Sequence, residues 1–505
     1  MRSLALAFAL AMALAAVPAG GGPPVSRPLL TPALAAELPG ALEEVGHDDL
    51  GSRGLNSALA LAGHCAYVGS RGQGPIEIVD VADPTHPHRV GSLPGRPLTT
   101  ARELRAVPER NLLVVLSYAL AAGGANRLDL YRWDQDCAHP AAVGAYSFGG
   151  RAPHEFYLWQ EPGGDRLLLF TAMFSGGAGD LQVIDAADPA APHLAGTWAS
   201  PIGLLHSIAL SGDGRRAYLS LWRGGLLVAD VSQFTSGQPN PQLSLLTPVR
   251  AALPPPPGPN ANVHSAVPVP GHDLLLLTDE RYAANCADGP ARLADVSDPA
   301  RPRAVSVLNA PENDLATCRS SPAGTYTSHN PTLVGDLALV TWYSSGLQVF
   351  DVSDPAQPAR LAEFRPQAVQ PAERDRQLGA TLTMTWSYPI VRDGLIYVAD
   401  INQGLYVLRY RGPHQEQLEE VAFAEGNSNL FKARPPPTPP PTPAPSSGPE
   451  VAQAAPAGPP ASSRRAAATG RSLPAPALAA AALLGVAALA GLAALLLVRR
   501  TRRLS

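Results

Sequence analysis

The sequence predicts an all-β protein built as a seven-bladed β-propeller, and three observations lead to this fold class. A short apolar strand pattern recurs seven times, and a D-P-x-x-P turn follows four of the copies. The copies lie at intervals of roughly 45–65 residues, which fits blades made of one four-stranded sheet each. They are residues 76–81, 128–133, 181–186, 226–231, 291–296, 347–352 and 405–410.

Residues 328–364 show one complete unit. Four short apolar runs alternate with turns at Gly335-Asp336, at 342–345 and at Asp354-Pro355. Asp accepts backbone hydrogen bonds, Gly supplies positive φ, and Pro removes a ladder donor and ends the strand. The runs are nearly continuous rather than alternating, which is typical of sheets covered on both faces. We therefore expect each sheet to pack between two neighbouring blades.

This pattern resembles the LVIVD-repeat family of bacterial surface proteins over about residues 42–411. The strands IEIVDV, LQVIDA and LQVFDV carry the resemblance, together with the turns that begin at Asp83, Asp188, Asp298 and Asp354. The resemblance implies a propeller displayed at the cell surface. It implies little about biochemistry.

Closure of the propeller requires one terminus to complete a blade that the other terminus begins, because an open edge is a liability. Residues 42–50 and residues 418–425 both read as outermost strands without a blade of their own. We expect the N-terminal segment to close the ring by pairing beside 405–410.

The termini predict export and membrane anchoring. Residues 1–19 are predicted to form a signal peptide, with cleavage near Ala19 or as late as Ala36. The alternative is an N-terminal membrane anchor, but the apolar part of this segment is short for a membrane span. After the propeller (42–426) come a disordered Pro/Ala/Ser-rich stalk (434–476), one transmembrane helix (477–498) and a basic cytoplasmic tail (499–505). The positive-inside rule then places the propeller outside a single-pass cell-membrane protein.

The net charge argues against a nucleic-acid partner, and the cysteine content predicts disulfides. The formal net charge of −4 offers no basic field for nucleic acid, and a monomeric propeller is expected. Four cysteines in an exported chain suggest two disulfides, and four cysteines allow three pairings. Cys286 and Cys318 flank the outer strands of the fifth blade, so their pairing would staple a long insertion and leave Cys65 with Cys137.

A polar ring is predicted at the channel mouth. Aligning the inner strands by their turns places one residue of each blade at the start of the strand, and four adjacent blades have histidine there. The ring is Asn56, Arg102, His154, His206, His264, His329 and Trp386. Loops after the second strands add Arg71, Tyr118, Phe174, Trp222, Arg223, Asp279, Glu280, Trp342, Tyr343 and Asp400 at the same mouth.

Four histidines on a rigid frame could hold a divalent transition metal such as Fe, Cu or Zn. Asp279 and Glu280 could be accessory ligands. Glu155 could be a further ligand or could accept a hydrogen bond from a ring N–H group. The arrangement is similar to the four-histidine iron centre of carotenoid-oxygenase propellers and to the histidine-lined mouth of selenium-binding proteins. That resemblance makes a redox metalloenzyme conceivable. The alternative is that the histidines only hydrogen-bond one another and water.

Other chemistries fit less well. His206-Ser207 and His264-Ser265 cannot act as nucleophile–base pairs, because adjacent strand residues point to opposite faces. No acidic loop of the calcium-binding type supports a calcium site at Asp279, Glu280 and Asp400.

Two hypotheses remain. In the first, the protein is a surface binding module, whose mouth (Asn56, Arg102, Glu155, Trp222, Trp342, Tyr343 and Trp386) holds an extracellular protein, peptide or glycan. In the second, it is a metal-dependent extracytoplasmic oxidoreductase that uses His154, His206, His264 and His329.

Overall fold

Seven antiparallel sheets follow one another along the chain, and the prediction of a seven-bladed β-propeller is confirmed. The computed structural model describes residues 41–174, 180–258, 260–281, 286, 289–375 and 381–435. All of them belong to the unit Met1–Pro437, and the second unit, Thr438–Ser505, lies outside the described residues. Six sheets contain four strands in chain order, from the inner to the outer strand, and the seventh contains six.

Strands are numbered along the chain, beginning with β1 (Leu42–Asp48). Blade 1 contains β2 to β5: Asn56–Ala62, Cys65–Ser70, Ile76–Asp80 and His88–Leu93. Blade 2 contains β6 to β9: Glu103–Val107, Leu112–Ser117, Arg127–Arg132 and Ala141–Ser147. Blade 3 contains β10 to β13: Pro153–Gln160, Leu167–Met173, Leu181–Asp185 and His193–Trp198. Blade 4 contains β14 to β17: Ser207–Leu210, Arg216–Ser220, Leu226–Asp230 and Ser244–Leu245.

Blade 5 contains β18 to β21: Ser265–Pro268, Leu274–Thr278, Ala291–Asp295 and Arg303–Leu308. Blade 6 contains β22 to β25: Pro331–Val334, Leu337–Thr341, Leu347–Asp351 and Ala359–Phe364. Blade 7 contains β26 to β28 (Ile390–Arg392, Leu395–Asp400 and Gly404–Tyr410), β1, and the pair β29 and β30 (Val421–Glu425 and Phe431–Ala433). The short helices are α1 to α3, Ser232–Thr235, Leu315–Ser320 and Gln415–Glu419.

The hydrophobic core is divided among the interfaces between blades. Seven apolar clusters occur in the described part of the chain, and each joins strands of two neighbouring blades. Between blades 2 and 3, for example, Leu112 of β7 and Leu169 of β11 are both fully buried. Burial of one such side chain contributes roughly 1.5–3 kcal/mol, so the apolar strands are stabilised by their neighbours on both faces.

A small residue in the outermost strand lets the next blade approach. Gly144 of β9 would place a Cβ atom 2.0 Å from the carbonyl oxygen of Pro189, in the D-P-x-x-P turn of blade 3. Gly46 of β1 would meet the carbonyl oxygen of Pro84 in blade 1 at 2.2 Å. The repeated turn therefore does more than end a strand, because it packs against the preceding blade.

The N-terminal strand closes the propeller, as predicted. β1 pairs with β28 along its length, from Leu42 opposite Tyr410 to Asp48 opposite Leu405. The ring of His47 stacks on Tyr406 at 4.0 Å between ring centroids and an interplanar angle of 8°. Blade 7 thus takes its outermost strand from the start of the chain.

The C-terminal segment differs from the prediction of a second outermost strand. β29 pairs with the innermost strand β26, with Glu425 opposite Ile390, and continues through a turn into β30. Asn427 in that turn contacts blade 3, since its carbonyl oxygen accepts from the Leu158 amide at 3.2 Å and its side chain donates to the Phe156 carbonyl at 2.9 Å. The hairpin therefore lies in the central channel between blades 7 and 3, and the propeller fold extends to Ala433.

The predicted signal peptide, transmembrane helix and cytoplasmic tail lie outside the described residues, as does the stalk beyond Pro435. Within the described ranges, no helix is both long enough and apolar enough to cross a membrane. Both predicted disulfides, Cys65–Cys137 and Cys286–Cys318, are present.

Candidate metal centre in the channel

The four predicted histidines lie next to one another at the channel mouth. The ring centroids of His154 and His206 are 4.2 Å apart, those of His206 and His264 are 4.3 Å apart, and those of His264 and His329 are 4.4 Å apart. Each histidine lies within two residues of the start of an inner strand, so neighbouring blades carry the four rings at one level. His206, His264 and His329 are buried, and His154 is partly exposed.

Hydrogen bonds fix the orientation of these rings. His206 Nδ1 lies 3.1 Å from the His264 carbonyl oxygen, and His329 Nδ1 lies 2.8 Å from the Trp386 carbonyl oxygen. Because a carbonyl oxygen only accepts, these hydrogen bonds assign the proton to Nδ1 and leave the Nε2 lone pair free. His264 Nδ1 contacts Thr278 Oγ1 at 3.3 Å. Ring N–H groups bonded in this way are typical of histidines that bind metal through the other nitrogen.

Glu280 supplies a carboxylate among these nitrogens. Its Oε2 lies 3.6 Å from His264 Nε2, and its Oε1 lies 3.4 Å from His329 Nε2. The Tyr343 hydroxyl donates a hydrogen bond to the same Oε1. The ligand atoms of His206, His264 and Glu280 all lie within 4.8 Å of one another, so three donors of two chemical kinds surround one position.

Burial keeps the imidazoles neutral. Loss of solvation lowers the pKa of His264 to about 3 and, together with the neighbouring imidazoles, lowers the pKa of His206 and His329 well below the usual value. The pKa of His154 shifts in the same direction although its ring is partly exposed. Neutral imidazole is the form that binds a metal, so no proton has to be displaced at neutral pH.

Aromatic side chains enclose the histidines. Trp222 stacks on His206 with centroids 4.6 Å apart, and Tyr343 and Trp386 lie 4.9 and 5.0 Å from His329. Phe174 contacts His154 at 4.9 Å and is 52% exposed. The guanidinium of Arg102 lies over the Trp386 ring at 5.2 Å. The exposed side of the site is therefore next to His154.

Comparison with known proteins identifies the repeat. A family model described as the LVIVD repeat matches residues 54–93, which include all four strands of blade 1. The chain carries an LVIVD repeat. The predicted resemblance to this family is confirmed at that blade.

The other comparisons add little about function. This chain is similar to the C-terminal WD40 domain of Sif2, with 11% sequence identity and a TM-score of 0.45 over 74% of this chain and 99% of that chain. This likeness carries no functional argument. No curated protein matches the chain.

Two residues predicted at the mouth face elsewhere in the propeller. Trp342 is fully buried and packs on Phe350 in the core between blades 5 and 6, so it does not line the mouth. Asp279 binds Arg281 through Oδ2 and the Asn262 amide through Oδ1, and so is engaged away from the histidines.

Asn56 does line the ring, but its side chain already has partners. Its amide donates to the Asp400 carbonyl oxygen at 3.2 Å, and its Oδ1 accepts from Arg53 at 2.7 Å. Among the described residues, Glu280 is the predicted accessory group that lies beside the imidazole nitrogens.

A second polar layer lies directly after the ring and was missed from the sequence. The residue after each ring position is buried and polar in all seven blades: Ser57, Glu103, Glu155, Ser207, Ser265, Asn330 and Ser387. Burial, with the nearby carboxyl of Glu103, raises the pKa of Glu155 to about 8. This shift favours the protonated form of the Glu155 carboxyl at neutral pH. The sequence could have predicted this layer, because the residue after the ring position is polar in all seven repeats.

Proposed function

We propose that this LVIVD-repeat propeller binds one divalent transition-metal ion at its channel mouth, with His206, His264 and Glu280 as ligands. The observation that carries the proposal is the convergence of their ligand atoms within 4.8 Å of one another. In a tetrahedral site with metal–nitrogen bonds of 2.0–2.1 Å, ligand atoms are about 3.3 Å apart. The three donors would therefore have to approach one another by at most about 1.5 Å when the ion binds.

The hydrogen bonds of the site support a metal rather than a purely structural polar cluster. His206 and His329 both give their Nδ1–H to backbone carbonyls, which leaves Nε2 without that proton. The carboxylate oxygens of Glu280 lie beside the Nε2 atoms of His264 and His329. Together these atoms form a mixed nitrogen and oxygen donor set, which suits Zn, Cu or Fe. His329 would act through Glu280 or as a fourth ligand.

The setting that we propose is extracytoplasmic, on the basis of the sequence. A signal peptide, a Pro-rich stalk and a single C-terminal helix would hold the propeller outside the membrane, where it could meet a protein, peptide or glycan. Burial of Tyr343 and Trp386 leaves Tyr118, Trp222 and Phe174 as the predicted mouth aromatics that such a partner could reach.

A metal-dependent oxidoreductase is the second candidate function. With His206, His264 and Glu280 as the only protein ligands, and His329 acting through Glu280, one coordination position stays open, which is typical of catalytic rather than structural metal sites. His154 and the exposed Phe174 mark the side from which a small molecule would enter. Oxidation chemistry would require Fe or Cu at the site, so the identity of the metal separates this function from simple zinc binding.

Elemental analysis tests the proposal. Residues 41–435 would be purified without added metal, then reconstituted separately with Zn²⁺, Cu²⁺ and Fe²⁺ and desalted. We expect about one ion per chain in the wild type and none in His206→Gln/His264→Gln. The exposed pair His88→Gln/His272→Gln is the matched control and should retain the ion. Equal metal content in the ring variant and the control, with circular dichroism showing both folded, would refute metal binding at the ring.

A further inference from the structure

A second set of metal-ligating atoms lies at the end of strand β2 that is remote from the ring. Ligand atoms of His64, Cys65, Asp136 and Cys137 all lie within 4.8 Å of one another. His64 occupies the turn between β2 and β3, and Asp136 and Cys137 occupy the loop between β8 and β9 of the next blade. Cys65 and Cys137 form a disulfide here. The ring site uses none of these residues.

The imidazole of His64 lies against the disulfide. Its Nδ1 is 3.5 Å from Cys137 Sγ, and its Nε2 is 3.5 Å from Asp136 Oδ1 and 3.8 Å from Asp80 Oδ2. The His64 and Asp136 side chains are 43% and 46% exposed. Cys65 and Cys137 are buried. The His64 imidazole and the Asp136 carboxylate therefore lie between the sulfur atoms and the solvent.

Contacts independent of the S–S bond hold the two loops in place. The Tyr67 hydroxyl donates to the Cys137 carbonyl oxygen at 2.6 Å, and Arg392 donates to the Gly63 carbonyl oxygen at 2.7 Å. Gly63 has a φ of +55°, and a Cβ atom there would lie 3.4 Å from Cys137 Sγ. The positive φ favours glycine in this turn, and the turn packs against the sulfur at ordinary contact distance. Because the two hydrogen bonds do not depend on the S–S bond, cleavage of the disulfide would leave the donors near one another.

We propose that reduction of the Cys65–Cys137 disulfide converts this cluster into a zinc site with Cys65, Cys137, His64 and Asp136 as ligands. Two equivalents of a thiol, or one dithiol, break the Sγ–Sγ bond. The two cysteine sulfurs gain two electrons and two protons, and the reductant becomes a disulfide. Zn²⁺ then forms two Zn–S bonds, and the two thiol protons leave to solvent. Thiolate, imidazole and carboxylate are the ligands that zinc prefers, in tetrahedral geometry.

The Asp136 carboxylate already has partners that a metal would have to share or displace. Its Oδ1 accepts from the Ala138 amide at 2.9 Å, and its Oδ2 lies 2.8 Å from His139 Nδ1. A ligating carboxylate is commonly held by such hydrogen bonds, so they are compatible with an oxygen ligand. Within the described residues, the second disulfide, Cys286–Cys318, belongs to no comparable cluster. It can therefore be removed to isolate the proposed site.

The test uses the full chain carrying Cys286→Ser and Cys318→Ser, compared in the oxidised state and after anaerobic reduction with a dithiol that is then removed. We expect reduction to add about one bound Zn²⁺ per chain. Co²⁺ in place of Zn²⁺ should give a thiolate-to-cobalt charge-transfer band in the reduced protein only. That band reports sulfur ligands and is silent for the histidine ring, so failure here is distinguishable from failure of the ring site.

Ligand variants complete the test. His64→Ala/Asp136→Asn keeps both cysteines and should weaken Zn²⁺ binding by the reduced protein at least tenfold. The exposed pair His86→Ala/Asp83→Asn is the matched control and should leave it unchanged. The proposal is overturned if reduction adds no zinc, if the cobalt band is absent, or if the ligand variant binds like the control. Loss of the near-ultraviolet dichroism on reduction would also overturn it, because an unfolded chain does not assemble the four donors.

Discussion

At the scale of single residues, the position of the Glu280 carboxylate depends on Tyr343. The Tyr343 hydroxyl donates to Oε1, and this leaves Oε2 facing His264 Nε2 at 3.6 Å. Tyr343 is 1% exposed, so water cannot readily replace its hydroxyl. The side chain therefore acts as a positioning group for the proposed ligand.

Replacing Tyr343 by Phe should weaken metal binding. The carboxylate would lose its orienting donor, and loss of such an outer partner typically costs 10–100-fold in affinity. Competition titration against a chelator would measure the dissociation constant. Tyr397→Phe is the matched control, since its hydroxyl contacts Arg392 at the other end of blade 7. An unchanged dissociation constant in Tyr343→Phe would show that the Tyr343 hydroxyl does not position the proposed ligand.

A buried carboxyl makes stability depend on pH. Burial raises the pKa of Asp400 to about 6, although the amides of Met384 and Asn402 donate to its two oxygens at 2.7 and 2.8 Å. The unfolded chain titrates near 3.9. Between these values the folded state holds the extra proton, so the contribution of Asp400 to the free energy of unfolding falls as pH rises from about 4 to about 6 and is constant above. A difference of about two pKa units corresponds to at most about 3 kcal/mol.

Asp400→Asn should flatten this dependence because the amide does not titrate. Urea unfolding of metal-free protein at several pH values between 4 and 7.5 gives the slope. Asp393→Asn, at a carboxylate with a 64% exposed side chain, is the control and should keep the wild-type slope. If Asp400→Asn and wild type have parallel profiles, Asp400 is ionised throughout this range in the folded protein.

At the scale of elements, the outer strands and the D-P-x-x-P turns determine how blades stack. Gly144→Ala would place a methyl group 2.0 Å from the Pro189 carbonyl oxygen, so the backbone of one blade must move. Overpacking of this kind typically costs 1–3 kcal/mol, and we expect about that loss in the free energy of unfolding. At Gly150, by contrast, a Cβ atom would have no heavy atom within 4 Å beyond its chain neighbours, so Gly150→Ala is the matched control. Denaturant unfolding curves that coincide for the two variants would contradict this role for the turn.

Sequence periodicity was sufficient to predict the strands and the ring positions that repeat from blade to blade. Each predicted third strand is present, and the shared register placed the four histidines side by side because equivalent positions in a propeller lie at one level. The register could not tell which member of an adjacent pair faces the ring. Asp279 binds Arg281 while Glu280 faces the histidines, and Trp342 packs on Phe350 while Tyr343 lies against His329. The backbone conformation of the loop determines which side chain of each pair faces the ring.

The C-terminal hairpin was not predictable from its strand pattern. Residues 418–425 have apolar positions that would suit either free edge of blade 7, and the pattern does not specify an edge. The structure uses the inner edge, where Asn427 and Asn429 bond to the backbone of β10. These two amides, rather than apolar periodicity, distinguish a segment that crosses the channel from one that lies outside.

At the scale of the whole molecule, both ends of the described chain meet in blade 7. β1 covers its outer edge and β29 covers its inner edge, so its sheet is held by segments from opposite ends of the sequence. Beside the hairpin lies a cavity of about 1120 Å³, lined by the ends of the inner strands of blades 4, 5 and 6. The hairpin therefore fills only part of the channel.

Removing residues 41–48 should open the propeller. The edge of β28 would expose unpaired backbone groups, and Tyr406 would lose the stacked ring of His47. Exposed strand edges pair with other chains, so we expect a lower melting temperature and concentration-dependent association in light scattering. Glu43→Gln/Glu44→Gln is the control, because it changes two exposed side chains and keeps the backbone pairing. A synthetic peptide of residues 41–49 added to the truncated protein should restore the monomer by pairing with β28. A truncated protein that stays monomeric with the wild-type melting temperature would show that β1 is not needed to close the ring.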